Sequence, residues 1–184
     1  MFALSPISHT RAAHAICLMT AHNSQSGAKA GEHIAEAAAR VLRLPRAVFE
    51  ELRAHGEQTY PRECCGALLG APGPEGWRIE ALVHAVNART DAARDRYEIA
   101  PAELVKIAGE ARSRGLEIAG FYHSHPDHPA QWSETDFNEA HWLGCSYVIT
   151  AIENGVAAIT NAFVLNGTSE ETKTFAPESI ILGD

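Results

Sequence analysis

The strongest constraint in the sequence is a pair of histidines, His123 and His125, that directly follows the short apolar run 118–122. An uncharged apolar run of this length is typical of a buried strand. Side chains two residues apart on a strand lie on the same face, so we expect the two imidazoles to project side by side. Pro126 cannot donate a hydrogen bond to a neighbouring strand, and we expect it to end this one.

A third side chain can complete a metal site with this pair. Asp136 lies ten residues after Pro126, which leaves enough chain to bring its carboxylate back to the imidazoles. Two neutral imidazoles and one carboxylate, with a fourth position left for water, form the ligand set of a catalytic zinc site. A lone histidine in an apolar strand is more often a core residue, but two on one face favour a metal. Zinc is the first choice, although affinity alone does not exclude iron, cobalt or nickel.

The spacing of these residues has a specific counterpart. The pattern H-S-H-P-x6-S-x-x-D, from His123 to Asp136, resembles the signature of the JAMM (MPN-type) metalloproteases. Enzymes of that family cleave ubiquitin-like proteins from their conjugates. The family also places a glutamate well upstream, just before a Gly-containing apolar strand, and Glu63 stands in that position before residues 64–70. The resemblance extends from about Arg40 to the last residue.

The resemblance implies a role for each of these side chains. His123, His125 and Asp136 would hold one Zn²⁺ per chain, and the fourth ligand would be water. Glu63 would be the general base that takes a proton from this water and passes it to the leaving amine. Ser133 would donate a hydrogen bond to the oxyanion that forms when water adds to a carbonyl.

Two of these assignments have simpler alternatives. Ser-x-x-Asp before an amphipathic run is also a capping box, with Ser133 as the N-cap and Asp136 as the third helical residue. The two interpretations are compatible, because the cap would hold Asp136 toward the imidazoles. Glu63 alone would be a surface charge, since no local spacing ties it to His123. The rival candidates for the base are Glu98, Glu117 and Glu134.

Other side chains near the pattern are weaker candidates. We expect the loop 126–129 to carry His128 outward rather than toward the metal. Trp132 is expected to pack or to form a pocket wall, and Cys145 is not expected to be a ligand. Competing signatures are absent from the sequence, which has no H-E-x-x-H, no H-x-E…P-C-x-x-C, no G-x-S-x-G and no glycine-rich phosphate loop.

Charge and hydropathy narrow the range of partners. The formal net charge of −8 disfavours a surface that binds nucleic-acid phosphates. No run of about eighteen uncharged apolar residues is present, so we expect neither a membrane-spanning helix nor a membrane partner. The cysteines are Cys17, Cys64, Cys65 and Cys145, and none of them forms C-x-x-C. We therefore expect reduced thiols, no cysteine-based zinc site and a cytoplasmic protein.

The order of the predicted elements indicates an α/β fold in a domain of residues 40–184. The predicted strands cover residues 40–44, 63–70, 78–86, 97–99, 118–122, 146–153, 158–165 and 171–175. The predicted helices run from Pro45 to Tyr60, over 102–114, and from Ser133 with Gly144 still on one face. This order favours a mixed sheet flanked by helices, in agreement with the cytidine-deaminase-like sandwich that the resemblance implies. For residues 1–39 we expect a flexible or partly helical extension rather than a signal peptide.

The resemblance also implies a substrate class. The bond would be an amide or isopeptide after the C-terminal Gly-Gly of a ubiquitin-like protein, because two glycines fit a groove too narrow for bulkier side chains. The compact chain is most similar to small prokaryotic members that are linked to ubiquitin-like sulfur-carrier proteins. Deconjugation and removal of a C-terminal amino acid both stay open. The alternatives are a metal-dependent hydrolase of another small peptide or amide and a non-catalytic scaffold. The sequence does not decide between a monomer and a homodimer.

Overall fold

The computed structural model of the chain describes residues 40–184. The predictions for the N-terminal extension, residues 1–39, and for Cys17 lie outside the described residues. The elements of the described part are, in order, β1 (Val41–Pro45), α1 (Arg46–Thr59), β2 (Cys65–Gly73), β3 (Gly76–Ala85), α2 (Pro101–Ser113), β4 (Glu117–Pro126), α3 (Glu134–Glu139), β5 (Ser146–Glu153), β6 (Val156–Asn166) and β7 (Thr174–Gly183). The prediction of a mixed α/β fold is confirmed.

The seven strands form one mixed sheet in the order β1-β3-β2-β4-β5-β6-β7, and the sheet closes into a barrel. The prediction of a mixed sheet flanked by helices did not include this closure. The closure arises because β7 continues to Gly183 and pairs in parallel with the whole of β1, from Val41 opposite Ser179 to Pro45 opposite Gly183. The predicted last strand, 171–175, is wrong in its bounds and is too short to make this pairing.

The strand side chains pack into two large apolar clusters and a smaller third one around Ile149 and Phe163. The first cluster takes side chains from α1 and from all seven strands, with Ala119 and Tyr122 as its contributions from β4. The second cluster lies on the other face, where Phe121 of β4 packs with Ile107 and Ala111 of α2. Side chains two residues apart on a strand share a face. His123 and His125 therefore lie on the same face as Phe121 and α2.

The helices follow the expected sequence signals. Val48, Leu52 and His55 are buried in α1 at the predicted helical spacing, and Gly56 is buried beside them. Pro101 occupies the first turn of α2, where its missing N–H costs no hydrogen bond. The predictions of these two helices are confirmed. No helix within residues 40–184 is both long and apolar enough to cross a membrane.

One predicted element is absent, and another is shorter than expected. Residues 97–99 do not form a strand, because Ile99 makes only an isolated bridge to Asn87. The helix that begins after Ser133 ends at Glu139, and Ala140 already has an extended backbone. Its predicted apolar face out to Gly144 is therefore wrong. In both places, contacts from other parts of the chain decide the local conformation.

Candidate metal centre

The two histidines lie at the carboxyl end of β4, which runs between β2 and β5 in the middle of the sheet. Both side chains are buried, with 2% of His123 and 7% of His125 exposed. Their Nε2 atoms are 3.0 Å apart. Pro126 is the last residue of the strand, as predicted, and Asp127 follows it with a positive φ of 56°. The chain turns sharply at that point, away from the pair.

Asp136 reaches the pair from α3. Its Oδ1 lies 3.3 Å from Nε2 of His123, and its Oδ2 lies 3.5 Å from Nε2 of His125. One ligand atom from each of the three residues lies within 4.8 Å of the others. Within residues 40–184 they form the only such group of three or more His, Cys, Asp or Glu side chains.

The distances fit a metal ion held by these three groups. Tetrahedral zinc with ligand bonds near 2.0–2.1 Å separates its ligand atoms by about 3.3 Å. The three separations of 3.0, 3.3 and 3.5 Å scatter around that value. Nδ1 of His125 donates to the carbonyl oxygen of Pro129 at 2.8 Å, which leaves Nε2 with a free lone pair. In the metal-binding tautomers three acceptor atoms face one another, and such an arrangement needs a cation.

The side chains of the site shift one another's pKa values. Burial alone would raise the pKa of Asp136, but the polar contacts with His123 and then His125 outweigh it and hold that pKa below its ordinary value. Burial lowers the pKa of His123, and the nearby Asp136 carboxylate opposes part of that shift. These directions favour an ionised carboxylate beside a neutral imidazole, which are the protonation states that bind a metal.

Glu63 lies on the same face of the sheet. β2 and β4 pair antiparallel with Cys65 opposite His123. Glu63 lies two residues before Cys65, and the intervening Cys64 accepts a backbone hydrogen bond from Ser124 of β4 at 3.2 Å. Glu63 lines a cleft of about 470 Å³ together with His125 and Ser133. The structure thus brings together all five residues that the sequence pattern singled out, and their chemical roles stay predictions.

The environment of Glu63 is unusual for a carboxyl group. Only 5% of the residue is exposed, and its Oε2 has no hydrogen-bond partner among residues 40–184. Burial raises the pKa of Glu63 to about 9, and the negative charge of Asp136 is the next contribution. The three rival glutamates are all exposed: Glu98, Glu117 and Glu134. An orphaned, buried carboxyl oxygen beside a candidate metal centre suits a group that binds and releases a proton.

Asn87 holds the backbone of Glu63, and the sequence analysis did not identify it. Its Nδ2 donates to the carbonyl oxygens of Glu63 at 3.2 Å and of Arg96 at 3.0 Å. Its Oδ1 accepts from the backbone N–H groups of Arg89 and Glu98. All four hydrogen-bonding positions of the amide are thereby used. An asparagine in a polar loop carries no local signal for such a role.

The capping box that the Ser-x-x-Asp spacing allows is present. The Ser133 hydroxyl accepts from the backbone N–H of Asp136 at 3.1 Å and donates to Asp136 Oδ2 at 2.7 Å. The backbone N–H of Ser133 donates to the same Oδ2 at 2.6 Å. The cap and the third candidate ligand are therefore parts of one hydrogen-bonded unit.

The weaker candidates lie outside the group of candidate ligands, although His128 lines the same cleft as His125. His128 is exposed on the turn after β4. Trp132 lines the cleft and packs against Phe137 and Phe175, at ring-centroid distances of 5.7 and 5.5 Å. Cys145 is a buried free thiol whose Sγ points to the carbonyl oxygen of Ile118, away from the candidate ligands.

Comparison with known sequences identifies relatives of this chain. Residues 45–164 match the family described as prokaryotic homologues of the JAB domain. A desampylase from Haloferax volcanii is 35% identical over 98 residues, which cover 53% of this chain and 68% of that protein. A probable TtuB-protein conjugate cleaving protease from Thermus thermophilus is 32% identical over 102 residues, which cover 55% of this chain and 65% of that protein.

Two solved structures share the fold. The solution structure of a protein from Desulfitobacterium hafniense aligns with a TM-score of 0.66 at 26% identity and covers 78% of this chain and 94% of that one. The solution structure of a protein from Salinibacter ruber aligns with a TM-score of 0.60 at 34% identity and covers 77% of this chain and 92% of that one. The similarity thus covers more than nine-tenths of each solved structure and about three-quarters of this chain.

Proposed function

Because this chain belongs to the family of prokaryotic homologues of the JAB domain, we propose that it is a zinc-dependent isopeptidase that releases ubiquitin-like modifiers from their conjugates. The observation that carries the proposal is the convergence of two imidazoles, one carboxylate and a buried glutamate on one cleft. A scaffold would have no use for an unpartnered buried carboxyl group, which lowers stability.

His123, His125 and Asp136 would hold the metal. Zinc is proposed because imidazole and carboxylate ligands with one open position suit it. A zinc ion bound there supplies a Lewis acid that polarises the scissile carbonyl and lowers the pKa of water to about 7.

Glu63 acts as the proton carrier of the reaction. The charge of a bound metal ion would favour the ionised form of Glu63. Its carboxylate takes a proton from the attacking water while the new C–O bond forms. It then delivers that proton to the amide nitrogen as the C–N bond breaks, which leaves a carboxylate and an amine. The position of Glu63 in the cleft that His125 also lines supports this role.

Ser133 supports the oxyanion that develops on the scissile carbonyl. Its hydroxyl, which donates to Asp136 Oδ2, exchanges that bond for one to the oxyanion. Asp136 keeps its direction during the exchange, because the backbone N–H of Ser133 remains bonded to the same oxygen at 2.6 Å.

The substrate is an amide or isopeptide bond after the C-terminal Gly-Gly of a ubiquitin-like or sulfur-carrier protein. The names of the two curated relatives support a modifier as the partner, and the second one names a protein conjugate as the substrate. Deconjugation is therefore proposed ahead of removal of a C-terminal amino acid. The cytoplasm is the proposed location, which agrees with the free thiols of Cys64, Cys65 and Cys145.

The finer fold assignment belongs to the same proposal. A likeness to the cytidine-deaminase sandwich is supported by the mixed sheet with α1 and α2 in contact with opposite faces of β4. The closing contact between β1 and β7 is then an addition to that arrangement.

Cleavage of defined substrates tests the proposal. The full chain is purified without added metal, assayed for zinc, and incubated with Gly-Gly-ending carriers that are free, linked to a lysine, or extended by one amino acid. We expect zinc near one per chain and release of the intact carrier with a free Gly-Gly carboxylate from the lysine conjugate. Chelation should stop cleavage, and zinc should restore it.

Two variants identify the base. Glu63→Gln is expected to slow cleavage by about 10²–10⁴-fold, as loss of a general base does. Glu98→Gln is the matched control, because Glu98 is an exposed glutamate of the neighbouring loop, and it should leave the rate unchanged. Cleavage by Glu63→Gln at the original rate would remove Glu63 from the mechanism. Equal cleavage of unrelated peptides would remove the modifier from the substrate assignment.

A further inference from the structure

The helix that carries Asp136 has little to hold it in place. α3 contains six residues, and none of them is buried. A helix this short is unstable alone, because one or two turns do not repay the cost of nucleation. The capping box secures the first turn at Ser133. The last turn depends on contacts from elsewhere in the chain.

Lys173, which directly precedes β7, supplies those contacts. Its Nζ donates to the carbonyl oxygen of Ala140 at 2.8 Å and to that of Asn138 at 3.3 Å. The third partner is Oε2 of Glu170, at 2.8 Å. An ammonium group has three N–H donors, so all of them are used. The positive charge also lies at the carbonyl end of the helix, where it is favourable.

The contact is buried rather than a loose surface pair. Only 8% of Lys173 is exposed, and an ammonium at such a site is stable only while its partners are in place. Its Nζ also lies 5.2 Å from the ring centroid of Phe137 in α3. Phe175, two residues further along the chain, packs edge-to-face on Phe137 at 5.9 Å. The start of β7 therefore supports both the end and the inner side of α3.

We propose that Lys173 is a positioning residue for the metal centre, which fixes the last turn of α3 so that the Asp136 carboxylate meets the two imidazoles. The inference rests on the proposed function, since it takes Asp136 as a ligand. The carbonyl groups that Lys173 binds belong to residues two and four positions after Asp136. A loosened last turn lets α3 rotate and moves the carboxylate from the Nε2 atoms that it faces at 3.3 and 3.5 Å.

Metal affinity is the readout for this inference. The full chain with Lys173→Met is titrated with Zn²⁺ against a chromophoric chelator, and Co²⁺ is used to record the visible spectrum of the centre. We expect the zinc Kd to rise by about 10–100-fold, as it does when residues that orient metal ligands are removed. The Co²⁺ absorption bands should change in position and intensity. Lys173→Arg keeps the donors and the charge and should restore part of the affinity.

Two controls separate positioning from general stability. Arg53 also donates to backbone carbonyl groups, those of Ala157 at 2.7 Å and Ala158 at 2.9 Å, but it does not line the cleft. Arg53→Met should lower the stability of the fold and leave the zinc Kd within about threefold of wild type, because it touches no residue that orients a metal ligand. Glu170→Gln keeps both carbonyl contacts of Lys173 and should likewise leave the Kd within about threefold.

The outcomes distinguish this inference from the proposed function. If Lys173→Met does not fold, Lys173→Ser replaces it, because its short side chain removes both contacts to the carbonyl groups and leaves room for water to solvate them. Wild-type Kd and an unchanged Co²⁺ spectrum in either folded variant would overturn the role of Lys173 alone. A wild-type chain that binds no zinc would overturn the proposed function and this inference with it.

Discussion

Replacement of Ser133 by alanine separates the two roles that its hydroxyl can have. In the structure the hydroxyl caps α3 through the backbone N–H of Asp136 and bonds to Asp136 Oδ2 at 2.7 Å. The backbone N–H of Ser133 bonds to the same oxygen at 2.6 Å, and the substitution does not remove it. Asp136 therefore keeps one of its two bonds from Ser133 when the hydroxyl is lost.

These hydrogen bonds set the expected losses in Tm, zinc affinity and kcat. Loss of a serine N-cap costs about 1 kcal/mol, which lowers Tm by roughly 2–8 °C for a domain of this size. The retained backbone bond should limit the loss of zinc affinity to the lower end of the range for an orienting group, about tenfold. Loss of an oxyanion donor lowers kcat by about 10²–10³-fold. The loss in kcat should therefore exceed the loss in zinc affinity.

The assay measures kcat at saturating zinc, zinc Kd and Tm for Ser133→Ala beside Ser133→Thr, which keeps the hydroxyl. Ser113→Ala is the matched control, since the Ser113 hydroxyl also bonds within a helix, to Glu110, but does not line the cleft. A kcat within threefold of wild type, at saturating zinc and with the lower Tm, would refute the oxyanion role and leave Ser133 as a cap. Retention of full Tm as well would refute the capping argument.

Three further changes test other parts of the account. Burial, and then the positive charge of His84, lower the pKa of His55 from 6.5 to about 4, so the folded chain binds fewer protons than the unfolded chain between these values. The free energy of unfolding should therefore fall by up to about 3 kcal/mol as the pH drops from 6.5 to 4. In urea titrations over this pH range, the free energy of unfolding of His55→Gln should depend less on pH. The same pH dependence as in wild type would contradict the assignment to His55. A Cβ at Gly120 would lie 2.0 Å from the carbonyl oxygen of Ser146. Gly120→Ala should therefore lower the free energy of unfolding by about 3 kcal/mol. A loss below about 1 kcal/mol in urea unfolding would contradict the tight contact between β4 and β5. When free zinc is held at a thousand times the zinc Kd, its removal should lower the free energy of unfolding by about 4 kcal/mol. Calorimetric scans that give the same Tm before and after chelation would contradict zinc binding to the folded state.

The sequence was most informative where local pattern and chemistry agree. The histidine strand, its end at Pro126 and the helix start after Ser133 are each set by residues within a few positions of one another. Periodicity also identified α1 and α2, because their buried residues recur at helical spacing. Such features need only local interactions, which a single sequence displays.

Features that depend on distant parts of the chain were not predictable in the same way. The closure of the sheet depends on parallel pairing between β1 and β7, at opposite ends of the described chain. Residues 97–99 read as a strand because they alternate, but no neighbouring strand is available to pair with them beyond one bridge. Asn87 and Lys173 act through backbone carbonyl groups, which have no sequence signature. Glu63 could be assigned only through the family pattern, and the pairing of β2 with β4 supplies the physical reason.

Anomalous diffraction at the zinc edge from crystals of the zinc-loaded chain tests the central claim most directly. The account predicts one peak per chain, within bonding distance of Nε2 of His123, Nε2 of His125 and the carboxylate of Asp136, with an open side toward the cleft that Glu63 lines. A peak bound to other residues, or a site between the three ligands whose fourth position is filled by a protein atom, would contradict it.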